Sequence, residues 1–201
     1  MSDTARQSPL SRYGGYAALA LAAILAFGAA MWAFAVSNDN GSVAAAPGLI
    51  ETFRPEVGGP APDFALLDAR DQSKVIKLSD FRGTPVVVNW YASWCGPCRA
   101  EIPDFVAAQK ALQGKVVFLG VNLQEEPDRA VGMLDEFGAT YPAVLDQDGS
   151  VFRHYGGLGM PTTFFIDAEG NVVEWGSGRV TEEALVAALA RLGLQYEPPN
   201  D

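Results

Sequence analysis

Both cysteines of this 201-residue chain stand in one motif, Cys-Gly-Pro-Cys at residues 95–98. The run before it, "TPVVVNWYA" at 84–92, is short, apolar and rich in β-branched residues, which is typical of a buried central strand. The run after it, "CRAEIPDFVAAQKAL" at 98–112, has the apolar spacing of a helix. The sequence therefore predicts an α/β domain in which a strand leads directly into a helix, with both thiols at the helix start.

The spacing of the cysteines suits thiol–disulfide chemistry. Residues three apart on a helix are neighbours at about 5 to 6 Å, close to the Cα separation that a disulfide needs. Cys95 would lie at the helix N-terminus, where free N–H groups and the helix dipole stabilise a thiolate. We therefore predict that Cys95 attacks a substrate disulfide and that Cys98 resolves the mixed disulfide. Gly96 would let a substrate backbone approach, and Pro97 suits the first helical turn.

Other uses of a Cys-x-x-Cys pair fit this sequence less well. A structural zinc site needs four ligands, whereas the chain has two cysteines and one distant histidine, His154. Attachment of a c-type haem requires a histidine directly after the second cysteine, where this chain has Arg99. A purely structural disulfide that closes so short a loop would stabilise little. We therefore predict a redox-active disulfide, with no metal and no other cofactor.

An uncharged stretch of 24 residues, 13–36, predicts a transmembrane anchor. As a helix it would span about 36 Å, slightly more than a hydrocarbon core of about 30 Å. Arg6 and Arg12 precede it, which places residues 1–12 in the cytoplasm and the rest of the chain outside. A cleaved signal peptide and a buried soluble helix are the alternatives, although the apolar run is long for a signal peptide.

The remaining boundaries follow from composition and periodicity. Residues 37–57 are polar and aperiodic and indicate a linker, residues 58–193 have the pattern of one folded domain, and residues 194–201 indicate a flexible tail. Alternating apolar segments predict hairpins near 62–81 and 162–177, and a third near 143–152, where Asp-Gly suits the turn. Helices are predicted over 127–137 and after Thr181, which would cap the last helix.

Several spaced motifs identify a family. The segments "APDFALLD", "LSDFRGTPVVVNWYASWCGPCRAEIPDF" and "YGGLGMPTTFFIDAEGNVVEWGSG" resemble membrane-tethered thioredoxin-fold proteins of the ResA/TlpA/CcmG-like group, over about two-thirds of the chain. The resemblance implies a thioredoxin-like fold: a central mixed sheet flanked by helices, an N-terminal β-hairpin, and a strand–helix insertion near residues 122–146. It also implies the activity of a thiol–disulfide oxidoreductase.

The resemblance also implies substrate-binding residues outside the motif. Pro161, preceded by Met160, matches the loop in which thioredoxin-like proteins hold a cis-proline beside the cysteines, and it would leave the Met160 backbone free to pair with a substrate strand. Trp94 would shield the disulfide and contact the partner, or it would simply pack.

Glu101 is the predicted catalytic carboxyl. Thioredoxins typically have a buried Asp on the strand before the motif, but the corresponding residue here is Asn89, which does not titrate. In the ResA-like group a Glu at the place of Glu101 assists proton transfer, and a partly buried carboxyl near Cys98 would have a raised pKa. The alternative is a first-turn glutamate that only offsets the helix dipole.

The function that we expect is reduction of protein disulfides outside the cytoplasm, in cytochrome c maturation. The Gly-Pro pair between the cysteines equals that of thioredoxin, a reductant. By resemblance, the clients would be disulfide-containing proteins such as apocytochrome c, and a membrane thiol transporter of the CcdA or DsbD kind would supply electrons. A copper-binding chaperone and a disulfide oxidase or isomerase are the alternatives. The net charge of −10 without a basic stripe argues against nucleic acid as a partner.

Overall fold

The computed structural model describes residues 55–199, which contain one sheet of seven strands and four α-helices. In chain order these elements are β1 Ala65–Asp68, β2 Val75–Lys77, β3 Val86–Tyr91, α1 Gly96–Ala111, β4 Val117–Leu123, α2 Pro127–Glu136, β5 Ala143–Asp146, α3 Ser150–His154, β6 Thr162–Ile166, β7 Val172–Ser177 and α4 Glu182–Arg191. A short 3₁₀ helix, Leu78–Phe81, follows β2.

The sheet is mixed, as the family resemblance implies. Its strand order is β2-β1-β5-β4-β3-β6-β7. The pairs β3/β4 and β4/β5 are parallel, whereas β1/β2, β1/β5, β3/β6 and β6/β7 are antiparallel. The predicted hairpins near 62–81 and 162–177 are β1/β2 and β6/β7, and the predicted insertion contains α2 and β5. The expected thioredoxin-like architecture is therefore confirmed for the described residues.

The central strand β3 carries the chain to the cysteines. All six of its residues are buried, because β4 and β6 flank it and helices or loops cover both faces. Val87 and Tyr91 belong to the core cluster that includes α1, whereas Val88 and Trp90 belong to the cluster on the opposite face. A strand that is buried on both faces has apolar residues at nearly every position, which explains the continuous apolar run at residues 84–92.

The hairpin predicted near 143–152 is wrong. After β5 the chain turns at Gly149, whose φ is 69°, and enters α3 instead of a returning strand. The buried carboxylate of Asp146 accepts hydrogen bonds from the backbone N–H groups of Val151 at 3.3 Å and Phe152 at 2.7 Å. An acidic side chain that satisfies free N–H groups at a helix start stabilises the helix there. The Asp-Gly pair therefore precedes a helix.

The predicted last helix is confirmed as α4, and Thr181 caps it by accepting a hydrogen bond from the Ala184 N–H at 3.3 Å. The chain after α4 departs from the predicted flexible tail. Tyr196 is buried in the core cluster that includes α1, and Leu194 packs against the same cluster. This aromatic side chain holds the first part of the segment to the domain.

The predicted cytoplasmic N-terminus, transmembrane anchor and most of the linker fall on residues 1–54, outside the described residues. Among residues 55–199, no helix combines the length and the apolar character that crossing a membrane requires.

Candidate functional site

The two cysteines form a disulfide at the junction of β3 and α1. Their Cα atoms are 5.3 Å apart. Cys95 is the N-cap of α1, and its Sγ atom accepts a hydrogen bond from the Cys98 backbone N–H at 3.2 Å. Cys98 is fully buried, whereas Cys95 retains 4% of its surface and adjoins the exposed Gly96 and Pro97. Cys95 is therefore the more accessible of the two cysteines, in a position that stabilises a thiolate after reduction.

The loop before β6 lies beside this junction. Strand β6 pairs antiparallel with β3, and the register places Thr162 opposite Trp90. Pro161 therefore lies next to the end of β3, where the chain turns towards Cys95. The Met160–Pro161 peptide bond is cis, the geometry that the resemblance implies for this loop. The Pro161 carbonyl accepts a hydrogen bond from the Gly178 N–H at 2.8 Å.

Two large apolar side chains are exposed in the loops that hold the disulfide and the cis-proline, Trp94 directly before Cys95 and Leu158 shortly before Pro161. Trp94 is 71% exposed and Leu158 is 85% exposed, which are the highest values among the exposed large hydrophobic residues of the described chain. Sequence reasoning singled out Trp94 but missed Leu158. The sequence signal that could have identified Leu158 is its place in the glycine-rich loop "GGLGMP", where a large apolar residue is not explained by burial in a strand or helix.

Glu101 lies inside the domain, one helical turn after Cys98. Its side chain is fully buried, and its carboxylate accepts hydrogen bonds from the Asn89 side-chain amide and the Val180 backbone N–H, both at 2.8 Å. Burial disfavours the charged form and raises the pKa of Glu101 from 4.5 to about 7, although both hydrogen bonds lower it. The carboxyl therefore exchanges protons near neutral pH.

Asn89, which stands where thioredoxins typically have a buried Asp, donates two side-chain hydrogen bonds. Its amide nitrogen donates to Glu101 Oε1 and, at 2.9 Å, to Thr163 Oγ1. The β3/β6 register pairs Asn89 with Thr163, so the hydrogen bonds connect the two strands to the helix that carries Glu101. The sequence suggested neither contact, because one depends on the register of β3 and β6 and the other on how α1 packs against β3.

A second carboxylate, Glu125, lies on the other side of the junction. It accepts hydrogen bonds from the Ser93 backbone N–H at 2.7 Å, the Ser93 hydroxyl at 2.5 Å and the Asn122 amide at 2.8 Å. Partial burial raises its pKa, but the bonds from Ser93 and Asn122 outweigh this effect and leave the pKa below its ordinary value. Glu125 therefore holds the turn before Trp94 as a carboxylate. Sequence reasoning missed this residue.

Arg99 and His154, which were named above in weighing haem and zinc sites, have other contacts or lie elsewhere in the fold. Arg99 forms an ion pair with Glu136 on α2 and lies over the Phe137 ring, 5.2 Å from its centroid. His154 is exposed at the end of α3. Within residues 55–199, no group of three or more His, Cys, Asp or Glu side chains is arranged to hold a metal ion.

Comparisons with known proteins agree with this geometry. The model of the AhpC/TSA family matches residues 57–175. The thiol-disulfide oxidoreductase ResA of Bacillus thuringiensis subsp. konkukian is 31% identical over 138 residues, covering 68% of this chain and 79% of that protein. ResA of Bacillus subtilis is 35% identical over 129 residues, covering 64% of this chain and 71% of that protein.

A solved structure shows the same fold. The crystal structure of a thiol:disulfide interchange protein of the thioredoxin family from Chlorobium tepidum superposes with a TM-score of 0.58 at 30% identity, covering 68% of this chain and 95% of that one. The predicted resemblance to ResA-like proteins is thereby confirmed. This chain belongs to the AhpC/TSA family, and within that family it is a thiol–disulfide oxidoreductase with a thioredoxin-like fold.

Proposed function

We propose that this protein is a membrane-anchored, extracytoplasmic reductase of protein disulfides that acts in cytochrome c maturation. The observation that carries the mechanism is the buried Glu101 carboxyl, which follows Cys98 by one helical turn and has a pKa raised to about 7 by burial. A general base is most effective when its pKa is close to the working pH. Glu101 is therefore suited to accept the proton that Cys98 must lose.

The reaction begins with the reduced enzyme. The Cys95 thiolate attacks one sulfur of the substrate disulfide, the substrate S–S bond breaks, and the first substrate thiolate leaves and takes a proton from water. The Cys98 thiol then transfers its proton to Glu101 and attacks Cys95 Sγ. The second substrate thiolate leaves and is protonated as Glu101 returns its proton to solvent. The substrate gains two electrons, and the enzyme returns to the disulfide form.

Substrate binding uses the surface around Cys95. The exposed Gly96 and Pro97 leave the backbone accessible beside the reactive sulfur, and the Met160–Pro161 loop offers a backbone edge to a client strand. Trp94 and Leu158 would cover apolar side chains that flank the client cysteine. Clients with apolar residues beside their cysteines would therefore be favoured.

The direction of electron flow is the second part of the proposal. The Gly-Pro pair between the cysteines favours a low potential, near the value of about −270 mV for thioredoxin. Oxidised apocytochrome c would be a client, and a membrane thiol transporter of the CcdA or DsbD kind would reduce the Cys95–Cys98 disulfide again. The names of the ResA relatives support the exchange chemistry.

The location outside the cytoplasm depends on residues 13–36, whose uncharged sequence follows Arg6 and Arg12. A membrane-impermeant maleimide tests it on intact cells that express the full chain. We expect Cys95 to be labelled after mild reduction, and the protein to stay in the membrane after carbonate extraction. Labelling only after lysis would overturn this location.

Client trapping tests the function itself. In the full-length protein in detergent, we expect Cys95→Ser to abolish insulin reduction and Cys98→Ser to accumulate mixed disulfides, whose partners mass spectrometry identifies. A measured potential above about −180 mV would instead favour an oxidase or isomerase. Tight stoichiometric Cu(I) binding that abolishes insulin reduction would favour a copper chaperone.

A further inference from the structure

We propose that Asp104 and Arg179 are a pair of positioning residues whose opposite charges tune how readily Glu101 ionises. This role depends on the proposed function of Glu101 as the proton acceptor for Cys98. The three side chains become more exposed in order: Glu101 is fully buried, the Asp104 side chain is 23% exposed and the Arg179 side chain is 50% exposed.

Asp104 lies on the same face of α1 as Glu101. Residues three apart on a helix are neighbours, so the two carboxyl groups extend from adjacent turns. The Asp104 Oδ2 atom is buried and makes no hydrogen bond, but it lies 3.6 Å from Nη2 of Arg179. A buried carboxylate oxygen without a hydrogen bond depends on a nearby cation for compensation. Arg179 supplies that charge.

Arg179 is held in place by its two neighbours. The Gly178 N–H donates to the Pro161 carbonyl at 2.8 Å, and the Val180 N–H donates to Glu101 Oε2 at 2.8 Å. The guanidinium therefore extends from a short backbone segment that is attached on one side to the cis-proline loop and on the other side to Glu101 itself. The Arg179 backbone therefore has a defined position beside the acid, and its guanidinium lies 3.6 Å from Asp104.

The polar groups around Glu101 come from several elements. Asn89 on β3 and the Val180 N–H donate to it, and Thr163 on β6 contacts Asn89. The Arg179 charge lowers the pKa of Glu101 and the Asp104 charge raises it. Two further groups complete the surroundings: burial and the Glu101 charge raise the pKa of Tyr141, and burial and nearby carboxylates, Asp104 among them, raise that of Tyr196.

The two charges have opposite consequences. Removing the charge of Arg179 leaves Asp104 unopposed, so Glu101 would hold its proton to higher pH. Removing the charge of Asp104 takes away a repulsion and also frees Arg179 to act on Glu101, so the proton would leave at lower pH. Because both single changes disturb one pair, their effects would not add in the double variant.

The test compares Arg179→Gln, Asp104→Asn and the charge-conserving Arg179→Lys in the full-length protein. Carbon-13 NMR titrates the Glu101 carboxyl in the disulfide form, with Glu101→Gln assigning the resonance, and single-turnover reduction of a disulfide peptide gives the pH–rate profile. We expect the midpoint of the NMR titration and the midpoint of the pH–rate profile to rise by about half a pH unit in Arg179→Gln. Both should fall by a similar amount in Asp104→Asn. Arg179→Lys would leave both midpoints near the wild-type value.

Arg191→Gln is the matched control, because it removes the same charge from the Arg191–Glu174 ion pair between α4 and β7. We expect no shift from it. If the Glu101 resonance keeps its midpoint in both Arg179→Gln and Asp104→Asn, the tuning role is overturned whatever the rates show. If the resonance moves as expected while the pH–rate profile does not, the tuning role stands and Glu101 is not the proton acceptor.

Discussion

Two glutamates lie beside the junction of β3 and α1, and their surroundings differ in two respects. Glu101 is fully buried and accepts two hydrogen bonds, whereas Glu125 is partly exposed and accepts three. Burial raises the pKa of Glu101 to about 7, while the bonds from Ser93 and Asn122 keep the pKa of Glu125 below its ordinary value.

The difference shows what decides the role of a carboxyl near a reactive sulfur. Burial with few donors leaves Glu101 able to change its charge at neutral pH, which suits proton transfer. Partial exposure with many donors keeps Glu125 ionised, which suits a fixed contact with the turn before Cys95. Proximity to the disulfide alone would not have separated the two residues.

The largest expected difference between the two glutamates is in rate. Because we propose that Glu101 accepts the Cys98 proton, we expect Glu101→Gln to slow single-turnover reduction of a disulfide peptide by about 100- to 1,000-fold at neutral pH. The matched Glu125→Gln variant should stay within about threefold of wild type, because that carboxylate transfers no proton. A larger loss in Glu125→Gln than in Glu101→Gln would reverse the assignment.

Stability should depend on pH in opposite directions at the two sites. The folded pKa of Glu101 lies above its unfolded value, so the folded state binds more protons between about pH 4.5 and 7 and loses stability as the pH rises through this window. From pH 5 to pH 8, we expect the free energy of unfolding of the wild type to fall by about 2 to 3 kcal/mol more than that of Glu101→Gln.

The lowered pKa of Glu125 has the reverse sign, because its contribution is present above the unfolded pKa and is lost as the pH falls through the folded value. Urea denaturation of the oxidised protein from pH 5 to pH 8 measures the Glu101 effect, and the same measurement below pH 4.5 measures the Glu125 effect. Parallel pH curves for wild type and Glu101→Gln would show that Glu101 titrates normally.

The hydrogen bonds of Glu125 should contribute to the free energy of unfolding and not to the rate of disulfide reduction. We expect Glu125→Ala to lower the free energy of unfolding at neutral pH by about 2 kcal/mol, since it leaves the Ser93 and Asn122 donors without their acceptor. Ser93→Ala removes only the hydroxyl bond and should cost about 1 kcal/mol. Urea denaturation gives both values, and an unchanged stability of Glu125→Ala would mean that solvent replaces these contacts.

The smallest effect concerns the donor beside Glu101. We expect Asn89→Ala to move the acid midpoint of the pH–rate profile upward by about one pH unit, because Glu101 Oε1 loses a hydrogen bond that favours its charged form. Thr163→Val is the control, since it removes the other acceptor of Asn89 and leaves the Glu101 contact in place. A downward shift in Asn89→Ala would contradict this view of the amide.

The sequence predicted the features that depend on local pattern. The β3 run, the Cys-Gly-Pro-Cys motif and the start of α1 follow from apolar periodicity and from the chemistry of a helix N-terminus. The contacts of Asn89 with Thr163 and of Glu125 with Ser93 could not be predicted, because they join residues 74 and 32 positions apart. The mistaken hairpin after β5 has a similar cause, since the Asp-Gly signal is local while the burial of Asp146 is not.

The two ends of the sheet decide how much free backbone the domain offers to an extended polypeptide. An open sheet edge is a template on which an extended chain can pair and aggregate. At one end β2 has only three residues and finishes at Lys77. At the other end the first part of β7 is already occupied, because Gly58 and Gly59 exchange backbone hydrogen bonds with Val172. The free backbone of the two sheet edges is therefore limited to the three residues of β2 and to the part of β7 after Val172, which leaves short templates for pairing with an extended chain.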